Sequence, residues 1–510
     1  MPRTRNGVSR RIGPVARRLA CAVTAIAAVL AAGPASAQSY AVDPVNGVDA
    51  PGGGGPGNPF KTITFALTQH VPPQKLSLSL LRGSFDAASG EVFPLVLPPD
   101  SEVLGAEFRT ASVGGNVNFG SVFQVPSGSV RAVFKDVKIV GTLGRGIHAL
   151  AQPPDSMLVE IEGCEIVANR DVAVANVGGI CDVFMKRCLL RGGEDGVRMD
   201  ASAGAVTRLL CDASSIRNVF HGINAISSDS GTFVASVVRN TAFASNGHDG
   251  VLSIVSNGGA TFDRFENCVF YKAGAAFTPP FGQAIHDSVT GAGPAPFHTF
   301  WNCAFFANAS EMPQYNASNY QFVTNLVQTP SLQGIGGNIG GLPLFVAPDS
   351  FDFHVNPGSA VIDAGTNSSV TTATDADGDP RIGHPSLGSP AVVDIGLDEF
   401  YARHFYFRDN PVQVGSSAAF RIVGPPGATA YVASSLSTNG NAFGQGYRLG
   451  PNFINPILVG TVGAGGTLEG SFQIPNNPSL AGLTIFEQVA FVSGSTVTYG
   501  YNVFAQSLVP

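Results

Sequence analysis

Charge, helical periodicity and long apolar runs are all scarce in this chain. Only 13% of its 510 residues are Asp, Glu, Lys or Arg, and Gly, Ala, Ser, Thr and Asn supply most polar positions. That composition fits an extracellular all-β protein and disfavours helical bundles. The one sustained apolar stretch, residues 19–32, is too short for an anchor. A basic excess is missing as well. Residues 1–37 hold six of the 29 basic residues and no acidic ones, so the rest carries 23 against 36, a formal charge of −13. Nucleic acid and anionic membranes are therefore poor partners. The cysteines lack the paired spacing of two to four residues that a structural zinc site uses.

What the chain does have is a ladder of seven short segments. They are Asp136-Val137-Lys138-Ile139, Gly163-Cys164-Glu165-Ile166, Arg187-Cys188-Leu189-Leu190, Ala213-Ser214-Ser215-Ile216, Asn240-Thr241-Ala242-Phe243, Asn267-Cys268-Val269-Phe270 and Asn302-Cys303-Ala304-Phe305. Their second positions step by 27, 24, 26, 27, 27 and 35 residues. Each pairs a small residue with a large apolar one two positions on, so both share one face of a strand. A period this long with so little helical pattern predicts a β-solenoid.

A second ladder follows about nine residues downstream: Gly146-Ile147, Ala173-Val174, Gly196-Val197, Gly222-Ile223 and Gly250-Val251. Each coil therefore holds at least two strands, with glycine expected at a bend between them. Cys164, Cys188, Cys268 and Cys303 occupy the small-residue column, which predicts packed thiols rather than disulfides.

The ladder resembles the right-handed parallel β-helix of the pectate-lyase-like superfamily over residues 75–345. Two flanking segments add to the likeness. Residues 40–49, with Pro59-Phe60-Lys61-Thr62-Ile63, are similar to the opening of many secreted β-helix proteins, so residues 38–74 are expected to cap the first coil. Residues 346–402 resemble the choice-of-anchor Q domain through three ordered blocks: residues 356–365, Asp375-Ala376-Asp377-Gly378-Asp379-Pro380-Arg381, and Val393-Asp394-Ile395-Gly396-Leu397-Asp398-Glu399. Residues 403–510 read as six or seven short alternating strands separated by Gly/Pro turns, a small C-terminal β-sandwich. Six arginines precede or border residues 19–32, and Ala35-Ser36-Ala37 offers a cleavage site after Ala37. Residues 1–37 are thus a signal peptide, the protein is expected outside the cell, and no membrane span is expected in the mature chain.

Chemistry on a solenoid belongs outside, because the interior is packed. The column before the glycine ladder reads Arg145, Val172, Asp195, His221, Asp249. Asp195 and Asp249, two coils apart, would stand about 9 to 10 Å from each other, near the upper separation of inverting glycosidases. Enzymes of the resembled superfamily use carboxylates for hydrolysis or a basic residue with calcium for elimination, so Arg198 joins Asp195, His221 and Asp249 as a catalytic candidate. His148, Asn224 and Asp200 are candidate substrate contacts, with Tyr271 and Trp301 as exposed aromatic platforms. The bland alternative is that polar residues beside glycine cap their own turns. No local signature of a pectate lyase or polygalacturonase occurs. Asp375, Asp377 and Asp379 offer alternate carboxylates suited to calcium, although the EF-hand pattern fails because Ser386 takes its twelfth position. Three functions stay open: engagement of an extracellular polysaccharide or surface component, a polysaccharide lyase or inverting hydrolase, and a structural spacer.

Overall fold

The computed structural model describes residues 37–116, 120–168, 170–274, 282–313, 315–382, 391–407, 411–438, 448–450, 453–500 and 502–509. The expected signal segment up to residue 36 lies outside them. Three long parallel sheets wind into a right-handed β-helix. One coil shows the plan: Arg131–Lys135 belongs to the first sheet, Lys138–Thr142 to the third and Arg145–Ala151 to the second. The first sheet holds eleven strands, the second eight and the third nine among the described residues.

The ladder read from the sequence is the inner column of the third sheet. Ile139, Ile166, Leu190, Ile216, Phe243, Phe270 and Phe305 pair in register, and the column continues upward through Val113 to Phe85. Each is at most 2% exposed. Phe243, Phe270 and Phe305 stack with ring centroids 4.8 and 4.7 Å apart and planes within 3°, the spacing of neighbouring strands. The first residue of every ladder segment makes the corner. Asp136, Gly163, Arg187, Ala213, Asn240, Asn267 and Asn302 all have φ between 47° and 65°, a conformation that Asn and Gly adopt most readily.

The second ladder needs a correction in register. Ile147 pairs with Val172, and Val172 with Val197, so Asp171, not Ala173, shares a column with Gly146 and Gly196. The cause is turn length. Eight residues separate Ile139 from Ile147 but only six separate Ile166 from Val172. The glycines also serve a different purpose from the one expected. Their φ values are ordinary, but a Cβ on Gly196 would sit 2.5 Å from Ile216 Cγ2, and one on Gly222 would sit 2.4 Å from the Gly250 carbonyl. Close approach to the apolar stack excludes a side chain there.

At the N-terminal end, Ala37–Val42 extends the first sheet beside Lys75–Leu80. The only α-helix among the described residues, Ile63–Thr68, lies over this coil with Ile63 and Ala66 buried. Glu91 accepts from the free N–H groups of Ile63 (2.7 Å) and Thr64 (2.8 Å), satisfying donors that a helix start leaves open.

The segment after Phe345 folds back along the outside of the third sheet. Phe345, Phe353, Val355, Val361 and Ile395 pack on Ala242, Ala244, Val269, Tyr271 and Ala304. Earlier coils carry charge on that face, where Arg191 meets Glu165 at 2.7 Å; the switch to alanine and valine marks where the segment docks. Tyr271 is therefore not an exposed platform. It is 4% exposed and donates to Asp349 at 2.7 Å. Trp301 is half-buried with the Arg264 guanidinium 3.6 Å over its ring.

The C-terminal region is a sandwich. His404–Phe407, Ser417–Val423 and Thr467–Gln473 form one antiparallel sheet, and a six-stranded sheet centred on Thr429–Ser435 and Thr484–Ser493 forms the other. Phe405, Phe420, Ile422, Val432, Val489 and Phe491 share one core.

Cys164, Cys181, Cys188, Cys211, Cys268 and Cys303 are buried and free. Burial pushes the Cys164, Cys188 and Cys211 thiols up to about 12, so these three supply no thiolate at neutral pH. In the native protein a thiol reagent should label essentially none of these six. After denaturation without reductant it should label all of them, and a lower count would show that bridges form.

Candidate functional site

The catalytic and substrate-contact candidates read from the sequence lie on the strands of the second sheet. The corrected register puts Arg145, Arg170, Asp195, His221, Asp249 and Gln283 in one column. The outward column three residues on reads His148, Ala173, Arg198, Asn224, Leu252 and His286.

At the centre is His221 on strand His221–Ser227, whose side chain is 13% exposed. Its Nδ1 lies 2.7 Å from Asp195 Oδ1, and its Nε2 lies 3.6 Å from Asp249 Oδ2. Both aspartates have no exposed side-chain surface. Asp195 Oδ2 accepts from Asn224 Nδ2 (3.1 Å) and faces Arg198 Nη1 (3.5 Å), while Arg198 Nε donates to Asp200 at 2.9 Å. On the far side, His248 Nδ1 (2.8 Å) and His286 Nδ1 (3.0 Å) both reach Asp249 Oδ2, and the Gln283 N–H donates to Oδ1 (2.9 Å). Burial pushes the Asp249 carboxyl up, but the hydrogen bonds from His286 and His248 outweigh it and hold the group below its ordinary range. Phe220 meets His221 edge-to-face at 4.6 Å and lies tilted against His248 at 5.0 Å, and remains 38% exposed.

Asp195, His221, Asp249, Arg198, Asn224 and Asp200 thus form one connected network. His148 stands two coils away in the outward column, where burial and Arg145 push its imidazole down to about 4. The two aspartates do not face a shared water across a coil. Each is sealed beneath imidazoles and orients them, so the arrangement suits positioned histidine chemistry rather than a free carboxylate pair. His248 and His286 were missed by the sequence columns. The first sits one residue ahead of the column, and the second lies beyond the long insertion after residue 271.

Asp375, Asp377 and Asp379 take separate partners. Asp375 Oδ1 accepts the N–H groups of Asp377, Gly378 and Asp379 at 2.9 to 3.0 Å, and its Oδ2 faces the Glu399 N–H at 3.2 Å. That is a turn built around its own carboxylate. Asp377 pairs with His354 at 2.5 Å and Asp379 with His404.

A further histidine lies inside the coil. His298 has no exposed surface and sits between Asp263 (3.2 Å) and Asp287 (2.7 Å), to which Ser253 and Tyr320 also donate. Burial pushes the imidazole down, but the two carboxylates prevail and raise it to about 9. A raised folded-state value stabilises the fold fully below the unfolded value near 6.5, and that contribution is lost as pH rises through about 9. Urea unfolding should therefore show the wild type losing up to roughly 3 kcal/mol between these limits, at about 1.4 kcal/mol per unit. His298→Gln should lack this step; an equal loss in both proteins would assign it elsewhere.

The fold and this face define a parallel β-helix protein with an external polar site. Residues 45–142 match a family described as Protein of unknown function (DUF1565). No curated protein matches the chain at a significant level. Solved structures are similar, among them two of bacteriophage tailspike protein 2. The full-length tailspike protein 2 of an Escherichia coli bacteriophage, CAB120, is 12% identical with a TM-score of 0.33, covering 93% of this chain and 68% of that one. The enzymatically active domain of bacteriophage CBA120 tailspike protein 2 is 11% identical with a TM-score of 0.28, covering 93% and 76%. At that identity and superposition the likeness carries no functional weight.

Proposed function

We propose that the protein is exported and engages an extended extracellular polysaccharide along the outer face of the second sheet. The observation that supports this reading is the face itself. Three of the chain's nine histidines, His148, His221 and His286, with Arg198, Asn224 and Asp200, lie on one sheet, His248 stands at its corner, and the outward rows also hold the half-buried Leu150, Ile226 and Ile254. Hydrogen-bonding groups beside aliphatic patches, repeated at about 4.8 Å per coil, suit a long polar ligand with apolar ring faces. A second reading, turnover of the bound chain, draws on one specific contact: His221 is held at Nδ1 by a sealed aspartate, which orients an imidazole for proton transfer.

A glycan array on the purified protein, followed by reducing-end and unsaturated-product assays, separates these. Arg198→Ala should weaken glycan binding roughly tenfold, the value of a hydrogen bond from a charged donor. Binding without products supports engagement alone, and products that vanish in His221→Ala support turnover. No bound glycan, or binding indifferent to Arg198 and His221, would leave the β-helix as a spacer.

A further inference from the structure

Three imidazole nitrogens crowd one carboxylate oxygen, and hydrogen bonding cannot account for all of them. Asp249 Oδ2 has His248 Nδ1 at 2.8 Å, His286 Nδ1 at 3.0 Å and His221 Nε2 at 3.6 Å. Two donors match its two lone pairs. The third nitrogen is the difficulty. Neutral imidazole has one N–H and one lone pair, and in His221 the N–H is committed at Nδ1 to Asp195 Oδ1, 2.7 Å away. In that neutral form Nε2 presents a lone pair to the lone pairs of Asp249 Oδ2, an arrangement that a cation between them, a proton or a metal ion, would relieve.

We propose that His221 Nε2, His248 Nδ1 and Asp249 Oδ2 bind one divalent transition-metal ion of the zinc type, with His248 carrying its N–H on Nε2 so that its Nδ1 lone pair meets the ion in place of the contact to Asp249. One ligand atom from each of His221, His248 and Asp249 lies within 4.8 Å of the other two. Ligands on a tetrahedral zinc stand roughly 3.3 to 3.5 Å apart, given metal–ligand lengths of about 2.0 to 2.1 Å, so the contacts of 2.8 and 3.6 Å bracket the required geometry. The surroundings fit the role. Asp195, wholly buried, holds the far nitrogen of His221, the carboxylate–histidine arrangement that fixes a ligand's tautomer and strengthens it as a donor. The Gln283 N–H holds the second oxygen of Asp249, which leaves Oδ2 as a single ligand. His221 and His248 keep 13% and 29% of their side-chain surface, so solvent or a ligand oxygen can take the remaining position. Two imidazoles and one carboxylate favour zinc, cobalt, nickel or iron(II) over calcium and magnesium, which prefer oxygen. Here the site differs from an aspartate-based calcium loop in both place and chemistry. The inference goes beyond the glycan reading and stands without it.

Isothermal titration of the metal-stripped full chain with zinc tests it, together with cobalt(II) substitution read by visible absorption. The expected result is one equivalent of zinc, insensitive to excess calcium, and a cobalt spectrum of imidazole-ligated, low-coordinate type. His248→Ala and His221→Ala should each abolish the stoichiometric site. Asp195→Asn keeps all three ligands and should weaken zinc about 10- to 100-fold, which guards against loss of binding through misfolding. His354→Ala, at a separate His/Asp group with Asp377 and Asp398, should change nothing. No zinc binding would mean that the cation is only a proton on His221, and binding that survives both histidine variants would place the ion elsewhere; either result overturns the proposal. Glycan binding measured with and without zinc is an independent readout, so loss of one does not count against the other.

Discussion

Replacing Ile216 by Asp should destabilise the β-helix by about 4 kcal/mol or more, the largest effect expected from a single core position. Ile216 has no exposed surface and is paired between Leu190 and Phe243. Its Cγ2 fills the space that the missing Cβ of Gly196 leaves open. A carboxylate in that column would meet apolar side chains above, below and opposite, with nothing to donate to it. Ile216→Val keeps the column apolar and should cost only about 1 kcal/mol. Because coils touch only their neighbours, the first region to yield in limited proteolysis should be the coils around 190–243, with the C-terminal sandwich lasting longer. Gly196→Val should act in the same place from the other side, by overfilling it. An unchanged urea midpoint for Ile216→Asp would mean that the residue does not face the core.

The fold was legible where the pattern repeats with little change. The third-sheet strands place Ile139, Ile166, Leu190 and Ile216 at a constant position after each corner, so two-residue alternation and a steady period were enough to find them. The second sheet was harder, because the turn that feeds it shortens by two residues at Val172. Two residues return a side chain to the same face, so the alternation still puts inward and outward rows on the correct faces although it sets Ala173 where Asp171 belongs. The side brace was legible as three motif blocks but not as a packing partner. Its contacts join residues far apart in sequence, such as Arg381 and Asn240, and no local pattern announces them.

The site was legible in part for the same reason. Asp195, His221 and Asp249 recur in one column and are in contact. His286 belongs to the neighbouring column, but 34 residues separate Val251 from Ile285 where 28 separate Ile223 from Val251, and the period was lost across the insertion. His248 takes the corner position that Glu194 and Phe220 hold in earlier coils, where no column pattern exists to follow. What the sequence did not convey was depth. Whether a column aspartate faces solvent or lies beneath an imidazole depends on side-chain packing between coils, and here both aspartates are sealed.

Arg381→Ala should cost about 3 to 5 kcal/mol and release the brace from the coils before the coils themselves open. The Arg381 side chain is fully buried, and its hydrogen bonds reach both the last motif block and a corner of the third sheet. Nη1 donates to the Gly396 carbonyl (3.1 Å) and to Glu399 (3.0 Å), while Nη2 donates to the Leu397 carbonyl (2.7 Å) and to Asn240 at a corner of the third sheet. One planar fork thus ties the last motif block to a coil more than 140 residues earlier. Removing it leaves Glu399 buried beside Asp394 and Asp375 without its cation; burial already raises its carboxyl well above the ordinary range, and the neighbouring acids raise it further. Arg381→Lys should not restore stability, because a single ammonium cannot present donors to both sides. Arg381→Met with Glu399→Gln should recover part of the loss, since neither partner is then left charged and alone. Hydrogen exchange is the decisive measurement. In Arg381→Ala, amides of residues 352–382 and 391–400 should exchange faster while those of Leu189–Arg191 and Ser215–Arg217 keep their protection; uniform acceleration across the β-helix would show instead that the brace and the coils unfold as one unit.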